Sequence, residues 1–189
     1  MTDELRVESI APDRFTAAEA TPIAALLCTV WPKPGRTVEM RVAKMLDEFA
    51  SATTETAPRS FVVREHGETI AFAQMLPRTI HTSAGPITVA GLARVCSHPD
   101  HRGRGLGDMV VRAAFEIVDQ GEFRWSLFQT SHQVQPFYER LGAVLIDNPI
   151  VDSLGDDPQA NPFWDEIAMR YPASGDWPRG TLDLQGPGY

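Results

Sequence analysis

The sequence predicts a single mixed α/β domain of the α+β kind, with a mostly antiparallel central sheet flanked by helices. Three observations predict it. Hydrophobic periods run in the order strand, two helices, three strands, helix, strand, helix, then a strand or strands. Short turn signals join most consecutive strands, which makes them antiparallel neighbours; only the helix between 87–97 and 123–130 offers a crossover that can join parallel ones. A chain of 189 residues suits one domain with a sizeable core.

The elements follow from local chemistry. "LRVESI" (5–10) alternates and reads as the first strand. "TPIAALLCTVW" (21–31) opens with a Thr-Pro helix start. In "RTVEMRVAKMLDEFA" (36–50), Val38, Val42, Met45, Leu46 and Phe49 fall on one helical face. A loop at 51–58 leads to two strands within 60–81, joined at His66-Gly67, a hairpin turn signal. Pro77 predicts a bend or bulge in the second of them. After the turn at 84–86 come a strand at 87–97, a helix at 106–120 closed by Gly121, and a strand at 123–130. A short helix at 133–141 ends on Gly142, followed by strands at 143–146 and 166–172. Residues 148–189 hold six of the 15 prolines and read as an ordered or semi-ordered extension of the same 1–189 domain, carrying the last strand.

Bulk properties exclude several classes. Hydrophobic residues make up 43% and charged residues 22%, an ordinary globular composition. No apolar run approaches a membrane span, and "MTDELRVESI" lacks the basic-then-apolar order of a signal peptide, so a cytoplasmic location without membrane contact is expected. The net charge of −8 argues against nucleic acid, whose phosphates demand a basic face. Cys28 and Cys96 stand far apart without metal spacing and read as free thiols. A monomer or a homodimer fits these properties, and no metal site is predicted.

Against that acidic background, "HPDHRGRGLGDMVVRAAFE" (98–116) concentrates Arg102, Arg104, His98 and His101 around three alternating glycines, Gly103, Gly105 and Gly107, at the start of a helix. Glycines let the backbone turn with its N–H groups inward, and a helix start adds unpaired N–H groups and the positive dipole end. That combination holds a phosphate or pyrophosphate. The P-loop spelling is excluded because no lysine is near, and the dinucleotide fingerprint because its third glycine would be Asp108.

The order Arg102, Gly105, Gly107, with Pro99 upstream after an apolar strand, resembles the acetyl-coenzyme A loop of the GNAT superfamily of N-acetyltransferases. "FYERLGAVL" (137–145) is similar to the family segment in which a tyrosine lies four residues before a helix-ending glycine, here Tyr138 and Gly142. The resemblance implies a GNAT-like fold, acetyl-coenzyme A as cofactor, and acetyl transfer to a primary amine of a small molecule or peptide by direct attack in a ternary complex. It implies that Val95, Cys96 and Ser97 offer backbone groups to the pantetheine arm. Arg102, Gly103, Arg104, Gly105, Leu106, Gly107 and Asp108 would wrap the pyrophosphate. Ser131 stands where the family often has asparagine. Tyr138 matches the position of the acid for the departing thiolate, a role open to a phenol with a pKa near 10; packing beside Phe137 is the alternative.

The base is open. Many relatives present a glutamate from the strand before the loop, but "GLARVCS" offers Arg94 and no carboxylate. His81, His98, His132, Glu166 and an ordered water are the candidates. An acetyl-cysteine route through Cys96 competes with a packing role for that residue. Residues 21–50 and 148–165 are expected to contact the acceptor, with Trp31, Phe49, Phe163 and Trp164 as apolar walls. The competing class is a coenzyme A-binding sensor or scaffold without catalysis, motivated by the absent strand carboxylate and by Ser131.

Overall fold

The structure, a computed structural model, describes residues 5–189. Nine strands and four α-helices follow in the order β1 (Val7–Ile10), α1 (Ala17–Val30), α2 (Val38–Ala50), β2 (Arg59–Glu65), β3 (Glu68–Thr82), β4 (Gly85–Ser97), α3 (Leu106–Asp119), β5 (Ser126–Thr130), α4 (Gln135–Arg140), β6 (Val144–Leu145), β7 (Ile150–Val151), β8 (Ile167–Tyr171) and β9 (Leu182–Asp183). Hydrogen-bonded strands run β1-β2-β3-β4-β5-β8-β6, with β9 pairing β3 and β7. The sheet is mostly antiparallel, as expected, and the crossover through α3 makes β4 and β5 parallel neighbours, Ala90 opposite Ser126 and Gly91 opposite Leu127.

The chain packs as two compact units: residues up to Leu76 with Ala93–Ala114, and Pro77–Leu92 with Phe115–Tyr189. In the first, β1 and β2 pair antiparallel, and so do β2 and β3. His66 and Gly67 both have positive φ, the requirement of the tight hairpin turn that joins β2 to β3. Ala20, Ile23, Leu26 and Leu27 of α1 and Met45 of α2 form one core with Val62, Phe72 and Cys96. Val42, Leu46 and Phe49 pack against it, so the helical face read from 36–50 is the buried one. Each large aliphatic side chain so buried contributes about 1.5–3 kcal/mol.

In the second unit, Ile80, Val89, Trp125 and Leu127 share a core with Ile150, Phe163, Leu182 and Leu184. The Pro- and Gly-rich extension therefore adds four apolar side chains to this core and the short strands β7 and β9, which pair in parallel. Composition alone hid these strands because each is two residues long.

One local expectation needs correction. Helix α1 begins at Ala17 with Thr16 as N-cap and carries Pro22 inside it, so the Thr-Pro pair does not start it. Pro22 is the sixth residue of α1, so one intrahelical bond is given up there, and α1 continues through it with Ile23, Ala24, Leu26 and Leu27 buried. Strand β3 continues through Pro77, and the register shift between β2 and β3 falls between Val63 and Arg64 of β2. In β4, Arg94 takes a left-handed φ of 57°, a local distortion of the strand that no glycine or proline signals.

Candidate active site

The phosphate-type loop lies in the first unit. After β4, Pro99–His101 form one 3₁₀ turn, capped by the His98 ring nitrogen accepting from the Asp100 N–H at 3.3 Å. Gly103 and Gly105 then take φ of 77° and 73°, left-handed conformations that side-chain-bearing residues rarely adopt. A Cβ placed at either would meet nothing within 4 Å, so glycine is needed there for the backbone angle and not for space. The Met109 N–H donates to the Gly105 carbonyl at 3.1 Å and opens the helical bonding pattern of α3. The N–H groups of Leu106, Gly107 and Asp108 precede it and point out of the helix start, where an anion finds both donors and the dipole's positive end.

Charge around this loop is arranged in pairs. Arg104 donates to both Glu65 oxygens, at 2.9 and 2.7 Å, and its Nη1 lies 2.7 Å from His101 Nδ1. The Arg104 guanidinium holds the Glu65 carboxyl below the usual carboxylate range. Asp108, the one acid in the first turn of α3, accepts from Arg112 at 2.7 Å. Arg102 is exposed. The glycine conformations, the free helix start and the exposed arginine together fit a pyrophosphate.

Val95, Cys96 and Ser97 end β4 in the same unit. Cys96 belongs to the apolar core, and burial pushes its thiol up to about 12. A thiol so held is neutral at physiological pH, which removes the nucleophile an acetyl-cysteine route requires and leaves the packing role. Arg94 is mostly buried and donates to both oxygens of Glu48 on α2, at 2.7 and 2.5 Å. It also donates to Gln74, which bonds Ser60 in turn; Gln74 and Ser60 are fully buried. Neither Glu48 nor Gln74 carries a sequence signal, because the distorted β4 backbone at Arg94 is what aims the guanidinium at them.

Ser131 and Tyr138 lie in the second unit. The Ser131 carbonyl accepts from the N–H groups of Val134 and Gln135 at 3.0 Å each and so starts α4. Tyr138 is buried on α4, its ring 4.7 Å from Phe128 and 4.9 Å from Phe137. Burial, reinforced by the nearby Asp165 carboxylate, raises its phenol well above the ordinary value, so it stays protonated. The helix then closes on Gly142 with φ 92°.

The other candidates scatter. His81 sits on β3 opposite Asp183 of β9 and is exposed. The His132 N–H donates to Glu166 at 2.9 Å, which links these two residues in one loop contact. Phe49 stacks on Phe15 at 3.9 Å, and Phe163 is core, so neither is an open wall. Trp31 and Trp164 are exposed, Trp164 by 70%. Among the described residues, no helix is long and apolar enough to cross a membrane.

Comparison with known proteins agrees with this arrangement. Residues 57–142 match the acetyltransferase (GNAT) domain family. A GNAT family N-acetyltransferase (YhbS) from Escherichia coli, solved in complex with CoA, is similar over 96% of this chain and 88% of its own, with a TM-score of 0.61 at 15% identity. A GNAT family acetyltransferase from Brucella melitensis, solved with acetyl-CoA, is similar over 95% of both chains, with a TM-score of 0.59 at 15% identity. The chain spans about a third of two other similar structures, 32% of a probable N-acyltransferase from Enterococcus faecalis and 34% of a GCN5-related N-acetyltransferase from Kribbella flavida. No curated protein matches the chain. At these identities the structural likeness speaks for the fold.

Proposed function

We propose, for a chain whose residues 57–142 match the acetyltransferase (GNAT) domain family, that it transfers an acetyl group from acetyl-coenzyme A to a primary amine of a small molecule or peptide, by direct attack in a ternary complex. The observation that carries this reading is the loop at 102–108, with Gly103 and Gly105 left-handed and the first N–H groups of a 14-residue helix unpaired by the helix itself. Backbone donors from Arg102 to Asp108 would hold the pyrophosphate, and Val95, Cys96 and Ser97 would present main-chain groups to the pantetheine arm. Ser131, at the start of α4, would stand beside that arm.

Acetyl-coenzyme A supplies the thioester carbonyl and a thiolate leaving group. Tyr138 would donate its proton to the sulfur as negative charge develops there; its raised pKa keeps that proton in place at neutral pH. Cys96 would contribute packing and backbone rather than a thiolate.

A second reading, coenzyme A binding without turnover, draws on β4. That strand offers Arg94, already bound to Glu48, where transfer to an ammonium needs a proton acceptor. Thiol release from acetyl-coenzyme A, measured against a panel of primary amines, separates the two. Release that depends on the amine supports acetyl transfer; tight acetyl-coenzyme A binding with no release on any amine supports the sensor.

A further inference from the structure

One strained backbone position of the first unit directly precedes the β4 segment assigned to the cofactor. Arg94 has φ 57°, a conformation disfavoured for any residue with a Cβ. Such an angle persists only where the surroundings hold it. Here the holding groups are identifiable. The guanidinium donates to both carboxylate oxygens of Glu48 on α2, at 2.7 and 2.5 Å, and to the side-chain oxygen of Gln74 on β3. Gln74 is fixed in its turn. It stands opposite Ser60 in the β2–β3 register and donates to the Ser60 hydroxyl at 3.3 Å, with both residues fully buried. Lys44 also approaches the Glu48 carboxylate, at 4.0 Å, but its side chain is exposed, so Arg94 is the stronger partner.

The distortion is short. Two residues on, Cys96 is back in the apolar core that contains Val62 and Phe72, and the His98 N–H donates to the Ile70 carbonyl of β3 at 2.8 Å. The main chain of Val95, Cys96 and Ser97 therefore runs between two fixed points, the angle at Arg94 and the bond at His98. Rotating the backbone at residue 94 swings the Val95 N–H and the peptides that follow it. A buried ion pair adds little stability over well-packed apolar side chains, whereas a forked guanidinium between planar acceptors is satisfied in one orientation. The network contributes direction more than energy.

Resting on the reading that Val95, Cys96 and Ser97 present main-chain groups to the pantetheine arm, we propose that Glu48 and Gln74 are positioning residues for acetyl-coenzyme A. By clamping the Arg94 guanidinium they hold β4 left-handed at residue 94 and aim the main chain after it at the arm. They act through Arg94 and need no contact with the cofactor. Their effect falls on the arm and spares the pyrophosphate, whose loop at 102–108 is built separately.

The test compares acetyl-coenzyme A with ADP, which carries a pyrophosphate but no pantetheine arm, by calorimetric titration of variants whose thermal melts confirm folding. Glu48→Gln should weaken acetyl-coenzyme A binding by about tenfold, the scale of one left-handed residue no longer held, and leave ADP binding as in wild type. Gln74→Leu removes a single acceptor of the guanidinium and should act in the same direction to a smaller extent. The deciding comparison is at residue 94 with Glu48→Gln present. Arg94→Gly and Arg94→Ala both remove the unpaired guanidinium, but glycine takes the left-handed angle unaided and alanine does not. Glu48→Gln/Arg94→Gly should recover most of the lost acetyl-coenzyme A affinity, and Glu48→Gln/Arg94→Ala should not. A network that served stability alone would leave the two double variants alike in affinity, because both lose the same charges. Equal acetyl-coenzyme A affinities of the double variants, or an equal loss toward ADP in Glu48→Gln, overturn the proposal and leave the cofactor reading standing. If Glu48→Gln does not fold, the two double variants, which strand no charge, decide the matter by themselves. Wild-type protein that binds no acetyl-coenzyme A overturns the cofactor reading as well.

Discussion

Arg94 and Glu48 form a two-pronged ion pair that ties β4 to α2, with N–O distances of 2.5 and 2.7 Å. Both side chains are mostly buried, and Arg94 reaches its partner from a left-handed backbone position. Removing one partner strands the other's charge in a poorly solvated site. Glu48→Ala should therefore cost about 1–3 kcal/mol of stability, read by urea denaturation. Arg94→Gly in that background should recover part of the loss, because glycine accepts the left-handed angle and no charge remains unpaired. Additive losses from the two substitutions would mean that the pair is not coupled.

Tyr138 separates catalysis from packing. Tyr138→Phe keeps the ring between Phe128 and Phe137 and removes only the hydroxyl. If that hydroxyl protonates the departing thiolate, turnover should fall by about a hundred- to ten-thousand-fold with little change in acetyl-coenzyme A affinity. A folded Tyr138→Phe protein with near-normal turnover would assign the proton to water. Tyr138→Ala, by contrast, should lower the melting temperature by opening a cavity.

Alkaline pH should unfold the protein in a graded way. The folded chain keeps the Cys96 thiol and the Tyr189 phenol neutral up to about 12, against ordinary values of 9.0 and 10.0. Between those limits the unfolded chain binds fewer protons than the folded one, so stability is full below the ordinary values and falls as pH rises through the window. Melting temperatures should decline from about pH 9 upward. Cys96→Val should flatten the first part of the decline and Tyr189→Phe the later part. Identical pH profiles for wild type and Cys96→Val would contradict the burial of an ionisable thiol.

The fold and the loop were legible in the sequence for a shared reason: both are written in local patterns. The 3.6-residue face of 36–50, the His66-Gly67 turn and the alternating glycines at 103–107 each specify geometry through neighbours in the chain. What was not legible depends on contacts distant in sequence. Glu48 meets Arg94 only because β4 distorts, and Tyr189 meets Gly91 across nearly a hundred residues. A lone glycine inside a strand pattern is a sign of close backbone approach, and Gly91 was that sign. Pro22 misled for the converse reason, since helix packing overrode a local preference.

The central claim, that the loop at 102–108 holds the pyrophosphate of acetyl-coenzyme A, is tested most directly by calorimetric titration of acetyl-coenzyme A into wild type, Gly105→Val and Arg102→Ala. Valine at φ 73° incurs left-handed strain of about 1–2 kcal/mol, and its branched side chain enters the open space over the loop where the phosphates would sit. Gly105→Val should weaken binding by at least about tenfold, and Arg102→Ala by no more than about fivefold, since an exposed charge is screened and the backbone donors remain. Equal affinities for wild type and a folded Gly105→Val protein would contradict the assignment of the loop and, with it, the acetyltransferase mechanism built on it.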